Sequence, residues 1–142
     1  MAKPAFINLW SNYPTEAAPC DGPWDNQCSI RMSITLNAEK TIKVDQNTYP
    51  EPKCKHGHAR GAESLANWLW KEIGRPKVFT DPAKAKVTLN GKTGIVFFKN
   101  CFTRSGETKQ TGDHIDLWNK GKTKTYSDPA NKSAQLWFWE LA

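Results

Sequence analysis

No stretch of this sequence approaches the roughly 18 consecutive apolar residues that a membrane-crossing helix requires, and mean hydropathy is −0.69. The opening MAKPAFINLW has neither the apolar centre nor the small-residue cleavage site of a secretory leader. By ordinary secretion rules the chain is expected to be made in the cytoplasm and to remain there, without membrane insertion. No two cysteines are spaced as CxxC, which leaves a zinc site little support. There is no internal repeat, no low-complexity segment and no nucleic-acid-binding motif.

What is present is enough for one ordinary domain, 1–142. Of 142 residues, 38% are hydrophobic and seven are Trp, so a real core can form. Most of these Trp (Trp68, Trp118, Trp137, Trp139) sit at core-compatible positions. Twenty Lys and Arg against 14 Asp and Glu leave a net charge of +6. Such a balance favours polyanionic partners: nucleic acid, anionic lipid or carboxylate-rich cell wall. It is equally the charge of a solvated surface, as in NKGKTKTYS at 119–127.

The pattern along the chain reads as α+β. AFINLW suggests a short helix near the N-terminus. In residues 60–74, Ala62, Leu65, Ala66, Leu69 and Ile73 share one helical face, with Gly74 as C-terminal cap and Pro76 beyond it. DPAKA (81–85) is expected to add one helical turn. KVTLN (86–90), GIVFFKN (94–100), HIDLWN (114–119) and AQLWFWEL (134–141) read as strands separated by Gly and Asn/Asp turns. Helices first and strands after them predict an antiparallel sheet with N-terminal helices packed on it. Residues 28–37 are ambiguous: Ile30, Met32, Ile34 and Leu36 alternate with polar residues as in a strand. A helix buried on both flanks would give the same letters.

The chemistry concentrates in two places. His114 opens a strand after a Gly-Asp turn, and Asn119–Lys122 form the expected reversal, with Gly121 free to take positive φ. A turn centred between Lys120 and Gly121 puts position 127 opposite His114 and brings Asp128 within one residue of facing it. Asp116, two residues along the same strand face, is the competing carboxylate, and would have to lean about 7 Å. A carboxylate-held imidazole is the orienting half of a nucleophilic triad, or simply a surface His-Asp pair on a hairpin. Cys28, in DNQCSIRMS, supplies a nucleophile earlier in the chain, the order found in papain-like hydrolases. Asp25, Asn26 and Gln27 are good residues to open a helix. They would set Cys28 at a helix N-terminus, where the dipole favours thiolate and the Cys28 N–H faces a developing oxyanion. CKHGH, 54–58, gathers a Cys and two His but lacks a partner cluster for a metal.

Six segments in order carry a family resemblance: PAFINLW, NQCSIRMSITLN, RGAESLANWLWKEIGRPKVF, GKTGIVFFKN, GDHIDLWN and LWFWEL. Together they resemble the fourth family of type VI secretion amidase effectors, a branch of the papain-like, NlpC-type cysteine peptidases. The resemblance implies a papain-like fold with Cys28 as nucleophile and His114 as general base. It matches Asp128, in YSD, to the third member, on the strand after the histidine. NKGKTKTY is longer than the family's usual turn, so Asp116 stays the alternative. It further implies cleavage of peptidoglycan stem peptides between γ-D-glutamate and meso-diaminopimelate, with no cofactor and no metal. Export by the type VI secretion apparatus, action in a neighbour's periplasm and a cognate immunity protein belong to the same expectation. In that oxidising setting Cys20, Cys54 and Cys101 are candidates for a disulfide, Cys54–Cys101 foremost, with all three remaining thiols as the alternative. A wall-remodelling or phage-lytic peptidase of the same fold is the nearest competing function. A non-enzymatic basic module binding glycan or nucleic acid is the more distant one.

Overall fold

The computed structural model describes residues 3–16, 19–20, 27–103, 106–110, 112–125 and 133–142. Three helices precede the sheet: α1 (Phe6–Asn12), α2 (Cys28–Glu39) and α3 (Ala62–Glu72). Then follow β1 (Lys77–Phe79), α4 (Pro82–Thr88), β2 (Thr93–Phe102), β3 (Gly112–Asn119), β4 (Lys122–Thr123) and β5 (Gln135–Glu140). The strands form one antiparallel sheet in the order β1-β5-β2-β3-β4. The expected mixture of helices and antiparallel sheet is therefore observed.

Alternation along the strands sorts side chains onto two faces. Ile95, Phe97, Ile115, Leu117, Trp137 and Trp139 pack with Leu9, Met32, Leu36, Leu65 and Leu69 of α1, α2 and α3. Val96, Phe98, Trp118, Leu136 and Phe138 form a second cluster with Ala85 and Leu89, at and just beyond α4. The backbones of β2 and β5 approach closely at Gly94. There a Cβ on Gly94 would run into the carbonyl oxygen of Trp139, so only glycine fits.

α2 resolves the ambiguous segment as a helix, and its packing explains the strand-like lettering. Cys28, Met32 and Leu36 form one i, i+4 stripe facing the main core. Ile30 and Ile34 form a second stripe, packed with Cys20 and Cys54. Two stripes offset by two residues spell a period of two. Between them Ala59 N donates to Ser33 Oγ (3.0 Å) and Thr35 Oγ1 donates to Leu9 O (2.6 Å), while Ser29 Oγ is buried with no hydrogen-bond partner among the described residues. α2 ends at Lys40, which takes a left-handed φ of 81° and donates its N–H to Leu36 O.

Two expectations need correction. KVTLN is not a strand, since its first three residues belong to α4. Asp81 caps that helix by accepting from Ala83 N and Lys84 N, and Pro82 supplies a preset φ at its first position. With a cap that strong, β-branched Val87 and Thr88 follow the helix. The edge strand β1 was not expected, its three residues being too few to show a period. Gly74, by contrast, does follow α3 with φ 116°, donating its N–H to Trp70 O.

Candidate active site

Cys28 is the first residue of α2 and is buried. The first N–H groups of a helix have no partner within it, and the dipole there favours negative charge. The preceding residue, Gln27, is equally buried and is fixed by its side chain: Cys20 N donates to Gln27 Oε1 (2.9 Å), and Gln27 Nε2 donates to Cys20 O (2.8 Å). Asp25 and Asn26 lie outside the described residues.

His114 comes from β3 and hydrogen-bonds the Cys28 side chain. Its Nε2 lies 2.8 Å from Asp116 Oδ2, which leaves Nδ1 as the ring nitrogen for the thiol. Phe98, the cross-strand partner of His114, stacks on the imidazole with centroids 6.1 Å apart and planes at 14°. Asp116 is fully buried. Its Oδ1 accepts from Leu117 N (2.7 Å) and Lys124 N (3.0 Å), and its Oδ2 from Thr125 Oγ1 (2.6 Å). These donors orient the carboxylate toward the imidazole.

The hairpin turns where expected, with Lys120 at φ 56° and Gly121 at φ 106° and Trp118 paired to Thr123. The pairing of β4 ends at Thr123, and beyond it Lys124 N donates both to Leu117 O across the hairpin (3.2 Å) and to Asp116 Oδ1 (3.0 Å). A lean along β3 thus brings Asp116 to the histidine, whereas Asp128 and the position opposite His114 lie outside the described residues. Lys124 Nζ also sits over the Trp10 ring at 4.3 Å, tying α1 to this strap.

The electrostatics follow from this packing. Burial, the largest influence on His114, favours the neutral ring. The hydrogen bonds to Asp116 and Cys28, together with their negative charge, outweigh it and push the His114 pKa up to about 10. Tyr13 is buried beside the site, its hydroxyl 3.4 Å from Arg31 Nε. Burial, then the charge of Asp116, drive its pKa far above the phenol range, so it stays a neutral hydroxyl.

Sequence reasoning passed over Phe98, Thr125, Tyr13 and the Gln27–Cys20 clasp. Pairing GIVFFKN against HIDLWN would have found Phe98. Nothing local marks Tyr13 or Thr125. CKHGH forms a tight turn, closed by Cys54 N donating to His58 O (2.8 Å), with Cys54 Sγ 3.8 Å from His58 Nδ1. Among the described residues no cluster of three or more His, Cys, Asp or Glu is arranged to hold a metal. The Cys54–Cys101 pairing is not supported: Cys101 packs with Trp118 and Leu136, while Cys54 packs with Cys20 and Ile30.

A helix N-terminal cysteine joined to a carboxylate-held histidine on an antiparallel sheet is an arrangement with the parts that nucleophilic hydrolysis requires. Residues 24–139 match the family Tae4, described as type VI secretion system (T6SS) amidase effector protein 4. The chain belongs to this family of type VI secretion amidase effectors, enzymes that act on peptidoglycan. No curated protein matches it in sequence. Among solved structures it is similar to the effector Tae4 from Enterobacter cloacae, with TM-score 0.76 and 18% identity over 99% of this chain and 98% of that one. It is likewise similar to a chain of the Tae4–Tai4 effector–immunity complex from Salmonella Typhimurium, with TM-score 0.76 and 18% identity over 99% and 100%. A chain of the corresponding complex from Enterobacter cloacae gives TM-score 0.74 and 17% identity over 99% and 100%. Among the described residues no helix is long and apolar enough to cross a membrane.

Proposed function

We propose that the chain is a single papain-like, NlpC-type domain that hydrolyses the γ-D-glutamyl–meso-diaminopimelate bond of stem peptides. Cys28 is the nucleophile, His114 the acid and base, and Asp116 the carboxylate that orients the imidazole. The observation that carries this reading is the continuous chain of hydrogen bonds from Cys28 through His114 to Asp116. The Cys28 thiolate attacks the γ-carbonyl, and the oxyanion collects at the N–H groups that open α2. His114 gives its proton to the departing diaminopimelate amine, leaving a thioester. It then takes a proton from the water that releases the acyl group. Delivery by type VI secretion places this reaction in a target cell's periplasm. The effector–immunity complexes of similar proteins support a cognate immunity protein as partner.

Digestion of purified peptidoglycan followed by mass analysis tests the bond. The expected products are a fragment ending in γ-D-glutamate and one beginning with diaminopimelate, together one water heavier than the substrate. Cleavage at any other bond overturns the assignment.

The His114 environment adds a pH expectation. The raised pKa keeps the imidazolium, and with it the ion pair, through neutral pH. The alkaline limb of kcat/KM should therefore fall near pH 10 rather than in the ordinary imidazole range of about 6.5. Stability follows the same sign. A group whose pKa is higher folded than unfolded stabilises fully below the unfolded value and loses that contribution as pH rises through the folded one. Thermal melts should thus decline between neutral pH and about pH 10. A profile collapsing near pH 6.5 would contradict the ion pair.

A further inference from the structure

Cys20 and Cys54 are not used by the reaction above, yet both are buried, at 1% and 2% exposure, and they pack together against Ile30 and Ile34 of α2. Their thiols are in hydrogen-bonding contact. Cys54 belongs to the tight turn over residues 54–58, and Cys20 lies between α1 and α2 in sequence. Cys101 lies in the other cluster, and Cys28 faces His114, so neither competes for this contact.

We infer that Cys20 and Cys54 are a disulfide site, closed when the protein meets an oxidising compartment. That this happens in a target's periplasm rests on the function proposed above; the pairing itself does not. In a reducing cytosol the two remain thiols, as an apolar side-chain pair under α2. The oxidant is a protein or small-molecule disulfide. Deprotonated Cys20 attacks one sulfur of the reagent, whose other sulfur leaves as a thiol. Cys54 thiolate then displaces the remaining half of the reagent, so two protein thiols are oxidised and one disulfide is reduced to two thiols. Burial raises the Cys20 thiol above its ordinary range, as does Cys54. A backbone N–H of His56 and the charge of Lys55 act the other way, favouring its thiolate.

The bond has a direct route to the reaction centre. Cys20 holds both polar ends of the Gln27 side chain, and Gln27 immediately precedes Cys28. Fastening Cys20 to the 54–58 turn fixes the start of α2 without touching the nucleophile.

The test uses Cys28→Ala, so that reagent chemistry at the nucleophile cannot confuse the count. The protein is incubated with glutathione disulfide, denatured and alkylated. One alkylated cysteine, Cys101, and a peptide joining Cys20 to Cys54 are expected. The oxidised form should melt higher by on the order of 10 °C, a shift that dithiothreitol reverses and that adding Cys54→Ser abolishes. Three alkylated cysteines, glutathione adducts without a joined peptide, or a bridge that includes Cys101 would each overturn the site. None of these outcomes depends on whether the chain cleaves peptidoglycan, which the digestion experiment decides separately.

Discussion

Cys28→Ala releases no measurable muropeptide product, and His114→Ala falls with it by at least about four orders of magnitude. Both variants are expected to stay folded. Alanine at position 28 removes one sulfur atom from a buried helix start. At position 114 it removes a ring stacked on Phe98 but leaves Asp116 its backbone and Thr125 donors. The sharper signature is non-additivity. If thiol and imidazole act as one unit, the double variant is no slower than either single one. Circular dichroism with single-turnover kinetics on purified peptidoglycan checks both parts. A Cys28→Ala protein that cleaves at the wild-type rate ends the assignment.

Asp116→Asn is expected to lower kcat by about four orders of magnitude, the scale seen when a triad carboxylate becomes an amide. It should also destabilise the protein. The carboxylate accepts from Leu117 N, Lys124 N and Thr125 Oγ1 as well as meeting His114. An amide has one acceptor oxygen fewer, so at least one buried donor loses its partner, costing about 1–3 kcal/mol. The two effects separate by pH. The alkaline limb of the remaining activity should move down from about 10 toward the ordinary imidazole range, because Asp116 is among the groups that raise the His114 pKa. A purely structural role would lower Tm and leave that limb in place. Asp128→Asn is the companion measurement. Activity lost there but kept in Asp116→Asn would assign the carboxylate to Asp128.

Much of this architecture can be read in the letters where a single constraint acts on a segment. α3 is legible because one face is buried, so Leu65, Ala66 and Leu69 recur at helical spacing. Cys28 is legible because it opens α2, and His114 because it follows a Gly-Asp pair at the start of β3. α2 is not legible from period alone, since it is buried on two flanks and the second stripe disguises the first. α4 carries β-branched residues that suggest a strand, and the decision lies in two hydrogen bonds to Asp81. The carboxylate is a different case, since Asp128 lies outside the described residues. Counting across a turn pairs backbone positions only, and it does not show that the Asp116 side chain reaches His114 along their own strand. Cys20 and Cys54 are far apart in sequence, and nothing local says they share a pocket.

β3 carries two alternating messages. Ile115 and Leu117 belong to the helix-side core, while His114, Asp116 and Trp118 fall in the opposite phase. A slip of one residue against β2 would push a histidine and an aspartate into the packing of that core and break the hydrogen bonds that join them to Cys28 and Thr125. Miscounted pairing is therefore punished twice over, in burial and in chemistry. A chain that has not settled the register of β3 lacks the proposed Cys28–His114–Asp116 constellation altogether.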